Sequence, residues 1–128
     1  MLMVRELIEP TMDVMDTHVL REFLDMVGPD GPALLRSIVE TYAIETPPLL
    51  AALGLALQRG DPRAVSRLAH RLQGSCLSIG ASALAARCAE LEEACMRGLP
   101  LSSDLYLALE EQFAATTAAL RAFVADLP

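Results

Sequence analysis

The amino-acid sequence predicts an all-α fold: an antiparallel four-helix bundle with one or two additional short helices at the N-terminus. Hydrophobic residues make up 53% of the 128 residues, and only 4% are aromatic. Ala and Leu dominate, and runs of the β-branched and aromatic types that favour strands are scarce. Apolar residues recur at three- and four-residue spacing in several segments, and the loops between these segments are short. Short loops favour antiparallel neighbours in a bundle.

The chain is divided into an N-terminal lead-in, residues 1–12, and a single helical domain, residues 13–128. The first helix of the domain is predicted from Asp13 to Val27, because apolar residues recur there with helical spacing. The cluster Gly28-Pro29-Asp30-Gly31-Pro32 then predicts a turn.

A second periodic segment begins near Pro32 and reaches Pro47-Pro48, after which apolar residues continue to Gly60. Two consecutive prolines remove two backbone donors and crowd the preceding turn. We therefore predict a kink or a break at this point, with Thr46 able to cap the second part.

The third helix is predicted to begin at Asp61-Pro62, because the carboxylate can cap the helix and proline is best tolerated in a first turn. This helix runs to Ile79, and Gly80 supplies a left-handed C-terminal position.

The fourth helix is predicted from Ala81 or Ser82 to Arg97, and Gly98 and Pro100 follow it. Ser102 or Ser103 begins the last helix. Its predicted interior stripe is Leu105, Leu109, Phe113, Leu120 and Val124.

Charge and hydropathy exclude several classes of protein. The net charge is −7 and all ten basic residues are Arg, so we expect neither nucleic acid nor an acidic membrane as a partner. The apolar run Leu49–Leu57 is far shorter than the roughly 20 residues that a membrane span needs. Charged residues within Met1–Pro10 argue against a signal peptide. We therefore expect a cytoplasmic protein.

The sequence contains three cysteines, an odd number without CxxC spacing: Cys76, Cys88 and Cys95. We expect them to be reduced thiols in the core.

A histidine lies on the outer face of the third predicted helix. On a helical wheel of about 100° per residue, His70 falls roughly 150° from the core stripe, beside Arg63, Arg67 and Gly74. Leu77, also off the stripe, adds an apolar side chain to this surface. The predicted core stripe consists of Val65, Leu68, Ala69, Leu72, Cys76 and Ile79. Because His70 is off the stripe, we expect it to be exposed to solvent. It is then either presented to an approaching partner or an ordinary surface histidine without a function.

The surrounding motif is more specific than the position of one histidine. It consists of Ala69-His70-Arg71-Leu72-Gln73-Gly74-Ser75, then Ile79-Gly80-Ala81, then Leu84, Cys88, Leu91 and Glu92. This pattern resembles the signature of histidine-containing phosphotransfer (HPt) domains of bacterial two-component phosphorelays, which reads AH-x-LKGS, LGA and L-x-x-x-C-x-x-LE. A weaker resemblance extends over residues 16–98.

The resemblance implies that His70 accepts a phosphoryl group from a receiver-domain aspartate or a kinase and passes it to the receiver of a response regulator. Glu92 corresponds to the residue that hydrogen-bonds the imidazole, which fixes the tautomer that leaves Nε2 free. Gly74 leaves room for the receiver. Gln73 replaces the lysine that the family usually has, so a nearby charge is lost; Arg67 and Arg71 could compensate.

The expected partners are a receiver domain and a hybrid sensor histidine kinase. Arg63, Arg67 and Arg71 form a positive strip that suits a phosphoryl group and an acidic receiver pocket. The sequence has no nucleotide-binding loop and no metal-ligand pair. We therefore expect a phosphoryl carrier without kinase machinery, metal or cofactor of its own, Mg²⁺ being supplied by the receiver.

Two alternatives remain open. A helical docking bundle could bind a receiver or a kinase without transferring phosphate, an interpretation that Gln73 favours. The chain could also be the phospho-acceptor domain of a chemotaxis-type kinase, although Met1 and the terminal Asp126-Leu127-Pro128 favour a free-standing protein or an expressed fragment.

Overall fold

The computed structural model describes residues 14–128, which form five α-helices and no strand. The helices are α1 (Thr17–Val27), α2 (Gly31–Arg59), α3 (Pro62–Ser78), α4 (Ser82–Met96) and α5 (Ser103–Ala125). The predicted all-α architecture is confirmed. The predicted lead-in, residues 1–12, lies outside the described residues.

Helix α1 begins four residues later than predicted. Asp16 has extended backbone geometry, and its carboxylate accepts a hydrogen bond of 3.0 Å from the backbone N–H of His18. It is therefore the N-cap of the helix, and capping by Asp satisfies a backbone donor that has no partner within the first turn. Asp13, the predicted start, lies outside the described residues.

The four long helices pack side by side, each against the next in the chain, and α2 also packs against α5. The most extensive contact is between α3 and α4, and the short α1 packs on α2. Only Gly60 and Asp61 separate α2 from α3, and only residues 79–81 separate α3 from α4. Such short connections make consecutive helices antiparallel.

Aliphatic side chains fill the centre of the bundle. Each of the largest contributes on the order of 1.5–3 kcal/mol when it leaves water. Leucines supply most of the largest fully buried side chains, and Leu35, Leu53, Leu72, Leu84, Leu91, Leu109 and Leu120 are all at most 2% exposed. The predicted stripe of α3 is confirmed, since all its members are buried except the half-buried Leu68.

The predicted break at Pro47-Pro48 is wrong, because α2 continues as one helix from Gly31 to Arg59. Both prolines are exposed, whereas Thr46 and Leu50 on either side of them are buried in the core. The carbonyls that lose their donors therefore lie toward water, and the fixed φ of proline is compatible with a helix. Burial of the opposite face keeps the helix continuous, so Thr46 does not cap a second helix.

Gly80 forms the turn between α3 and α4. Its φ of +78° lies in the left-handed region that glycine adopts most easily, and its carbonyl accepts a hydrogen bond of 2.6 Å from the N–H of Asp16. The start of α1 is thereby held against the end of the α3–α4 hairpin.

The three cysteines are free thiols, as predicted, with Cys76 and Cys88 buried and Cys95 half-buried. Burial raises the pKa of the Cys76 thiol to about 11 and that of Cys88 to about 12. No helix within residues 14–128 is both long and apolar enough to cross a membrane.

Candidate functional site

The site is centred on a hydrogen bond between α3 and α4. His70 lies on the outer face of α3 with 73% of its side chain exposed, and its Nδ1 is 3.0 Å from Oε2 of Glu92. The carboxylate belongs to α4 and is 24% exposed. The imidazole is therefore presented to solvent while one of its nitrogens is held by the protein.

The antiparallel hairpin explains why these two side chains meet. His70 and Glu92 are each eleven residues from Ala81, at the turn, so they lie at the same level of the two helices. Ala69, the buried neighbour of His70, has no bulk beyond Cβ. Small residues at a helix interface permit a close approach, which brings the flank of α4 within reach of His70.

The hydrogen bond selects one form of the neutral imidazole. An ionised carboxylate only accepts hydrogen bonds, so Nδ1 of His70 carries the proton that is donated to Glu92. The lone pair is then on Nε2. The ring is exposed and its orientation is fixed by Glu92. The Nε2 lone pair is therefore a nucleophile that a partner can reach.

Gly74 lies one turn beyond His70 on the same exposed face of α3. A Cβ built at this position would have no heavy atom within 4 Å, apart from the adjacent backbone of its own helix. Gly in a helix interior costs about 1 kcal/mol relative to Ala. Nothing in the described part of the chain requires glycine here, so its effect is to leave the surface beside His70 open.

The other predicted site residues lie on α3 within seven residues of His70, and no hydrogen bond joins any of them to its ring in the described part of the chain. Gln73 is half-buried, whereas Arg63, Arg67, Arg71 and Leu77 are exposed. None of the three arginines forms an ion pair with any residue in 14–128, and α3 contains no acidic residue. This helix therefore carries three exposed arginines; that they bind a partner stays a prediction. No group of residues in the described region could hold a metal ion.

The structure adds a groove that the sequence analysis missed. It lies between α2 and α3 and has a volume of about 490 Å³, and Arg71 and Ser75 form part of its wall on α3. Glu45 and Pro48 form part of the opposite wall on α2. Because Pro47-Pro48 was interpreted as a break, nothing in the sequence predicted that α2 continues alongside the His70 helix.

Comparison with known proteins agrees with this geometry. The family described as "Hpt domain" matches residues 37–123, which include His70 and Glu92. The chain belongs to the Hpt domain family.

A solved structure supports the assignment to the Hpt domain family. The structure of histidine-containing phosphotransfer protein B (HptB) from Pseudomonas aeruginosa PAO1 matches with a TM-score of 0.72 and 29% sequence identity. The match covers 90% of this chain and 97% of HptB. The comparison with curated proteins gave no match. The family and the fold together support the assignment of this chain as a phosphotransfer protein of a phosphorelay.

Proposed function

We propose that this Hpt domain accepts a phosphoryl group on Nε2 of His70 from a receiver-domain aspartate and relays it to the receiver of a response regulator. The observation that carries the proposal is the exposed imidazole whose Nδ1 is held 3.0 Å from Glu92. The donor receiver would belong to a hybrid sensor histidine kinase, and the same step run backwards would return the group to it.

The transfer balances without a further reactant. The Nε2 lone pair forms a bond to phosphorus while the bond between phosphorus and the aspartyl oxygen breaks, and the aspartate leaves as a carboxylate. The ring gains positive charge as the new bond forms, and the neighbouring carboxylate of Glu92 stabilises that charge. Catalysis of phosphoryl transfer depends chiefly on positioning and on charge around the equatorial oxygens.

The residues around His70 have complementary roles in this proposal. Gly74 leaves space for the receiver, and Leu77, 56% exposed, offers an apolar contact. Gln73 donates hydrogen bonds without charge, so Arg67 and Arg71 supply positive charge to the phosphoryl group. Arg63 extends the strip toward an acidic receiver pocket. The receiver supplies Mg²⁺, and this chain holds no cofactor.

The alternative is a docking bundle that binds a receiver or a kinase without transfer; the uncharged Gln73 is the observation in its favour. The test is incubation with phosphorylated receiver domains, comparing the wild-type chain with His70→Gln. We expect an acid-labile, alkali-stable label on the wild type only, with equal helicity by circular dichroism. Receiver binding without any label on the wild type would establish the docking bundle instead.

A further inference from the structure

A second groove lies at the end of the bundle where the α3–α4 hairpin turns. It has a volume of about 690 Å³ and lies between the start of α1, the start of α4 and the C-terminal half of α5. Residues 15–17 form one wall, Ser82 the second, and Ala119, Ala122 and Phe123 the third. Helices α3 and α5 are diagonally opposite in the bundle, since each of them packs on α2 and on α4. The α5 wall is therefore on the far side of the bundle from α3.

Hydrogen bonds to one carbonyl hold two walls of this groove together. The carbonyl oxygen of Gly80 accepts from the backbone N–H of Asp16 at 2.6 Å and from that of Ser82 at 2.9 Å. The side chains of Met15 and Phe123, on opposite walls, both pack against the core of the bundle. The groove is thus formed by fixed parts of the fold, as binding sites usually are.

The lining of the groove is mostly apolar. Met15 and Phe123 are half-buried, and Ala119 and Ala122 contribute only methyl groups, which leaves space above α5. Seven residues line the groove. A stable interface between two folded proteins takes about 20–30 residues on each side. The groove therefore fits a short apolar segment better than the surface of another folded domain.

The sequence that precedes the described residues has the composition of such a segment. Six of its first eight residues are apolar. Val4, Leu7 and Ile8 have the three- and four-residue spacing of one helical face. Glu6 and Glu9 fall on the opposite side of the helical wheel. An amphipathic stretch of this length is marginal in water, so its apolar face needs a surface that covers it.

Residues 1–13 are attached at the groove itself. They continue into Val14 and Met15, and Met15 is already part of the wall. Thirteen residues span about 20 Å as a helix and up to about 45 Å when extended, so they reach every part of the groove. A short covalent connection gives the attached segment an effective concentration on the order of millimolar. In a micromolar solution the segment of the same chain therefore has the advantage over that of a second copy.

We propose that residues 1–13 occupy this groove in their own chain, with the face formed by Val4, Leu7 and Ile8 against the α5 wall. The docked segment covers the apolar lining and adds a contact at the end of the bundle where α3 and α4 meet. The interaction does not depend on the chemistry of His70. It also lies outside residues 37–123, the part of the chain that matches the family.

Limited digestion of the full chain with trypsin tests the docking, because Arg5 lies within the segment. A docked segment must leave the groove to be cleaved, so the rate of cleavage after Arg5 follows the undocked population. Ala122→Glu places a charged side chain in the groove. Ala114→Glu makes the same change at an exposed position of α5 outside the groove. The segment that trypsin cleaves is identical in all three proteins, and circular dichroism checks that they fold.

We expect Ala122→Glu to raise the rate of cleavage after Arg5 by about tenfold, because a charge in the groove opposes the burial of apolar side chains. Ala114→Glu should change this rate by less than about twofold. Mass spectrometry of the fragments identifies the cleaved bond. Equal rates in the wild type and in Ala122→Glu would overturn the proposal.

A matched pair of substitutions in the segment locates the contact. Leu7→Asp changes the face proposed to dock, whereas Leu2→Asp makes the same substitution on the opposite side of the helical wheel. In ¹H–¹⁵N spectra, Leu7→Asp should shift the amide resonances of Ser82 and Ala119, and Leu2→Asp should leave them in place. Resonances of the groove that Leu7→Asp does not move would refute the docking.

The concentration of the protein separates docking within one chain from docking between two chains. Docking within one chain predicts monomers in sedimentation and a cleavage rate that does not depend on protein concentration. Slower cleavage at higher concentration, together with dimers in sedimentation, would show that the groove binds the segment of a second copy, and the proposal would then be wrong.

Discussion

Nδ1 of His70 and Oε2 of Glu92 lie 3.0 Å apart across the interface between α3 and α4. The side chain of His70 is 73% exposed, whereas that of Glu92 is 24% exposed. The exposed group is thus free to meet a partner while the half-buried group holds its orientation. This division between a reacting residue and a positioning residue leads to the first prediction.

Glu92→Ala should slow phosphoryl transfer to His70 by about 10- to 100-fold, the kinetic equivalent of a lost hydrogen bond to a charged group. Glu92→Gln should lose less, because the amide oxygen still accepts from Nδ1. Rapid-quench transfer rates test this, and ¹⁵N shifts of the His70 ring report the tautomer. Glu93→Ala, at an exposed neighbouring position, is the control. An unchanged rate in Glu92→Ala would remove Glu92 from the mechanism.

The sequence predicted this site in two different ways. The exposure of His70 follows from its helical phase, whereas its pairing with Glu92 was predicted from the resemblance to HPt domains; the hairpin that turns at Gly80 explains how the two side chains meet. The course of α2 could not be predicted in this way, because the effect of Pro47 depends on which face of the helix is buried by other helices. The α2–α3 groove was missed for the same reason, since it is formed by residues distant in the sequence.

Gly80→Ala should destabilise the protein more than Gly98→Ala. Both glycines have positive φ, so each substitution costs about 1–2 kcal/mol of backbone strain. At Gly80 the added Cβ would also lie 2.7 Å from the carbonyl oxygen of Asp16, whereas at Gly98 nothing lies within 4 Å. Urea unfolding measures the difference. Equal losses would show that the contact with Asp16 relaxes without cost.

The free energy of unfolding should fall as the pH rises above about 9. The ordinary pKa of a thiol is 9.0, but burial raises it to about 11 for Cys76 and to about 12 for Cys88. Above pH 9 the unfolded chain releases these protons while the folded protein retains them, which favours unfolding by up to about 1.4 kcal/mol per thiol and pH unit.

Urea unfolding at pH 8, 9 and 10 tests this pH dependence. Cys88→Ala is the matched variant: the cavity it creates lowers stability at every pH, but removal of one thiol should flatten the slope above pH 9. The same slope in Cys88→Ala and in the wild type would show that Cys88 does not contribute.

Thr116→Val should raise the free energy of unfolding by about 1 kcal/mol. Thr116 is fully buried in α5, and its hydroxyl has no hydrogen-bond partner in the described structure. Replacing an unsatisfied buried hydroxyl with a methyl group of similar shape removes a desolvation penalty. Thr116→Ser, which keeps the hydroxyl and loses the methyl, should lower stability instead. A loss of stability in Thr116→Val would reveal a partner for the hydroxyl.

Gly74→Ala should make the protein more stable and a poorer phosphoryl acceptor. The added Cβ meets no atom of the described structure, so the gain should approach the roughly 1 kcal/mol by which Ala exceeds Gly in a helix interior. Gly74→Leu should keep most of that gain and slow transfer further, because its side chain would occupy the surface that a receiver must approach. Urea unfolding and rapid-quench rates measure the two effects. Ala118→Leu, exposed on α5, is the control for added bulk. Unchanged transfer in Gly74→Leu would mean that the receiver approaches His70 from another side.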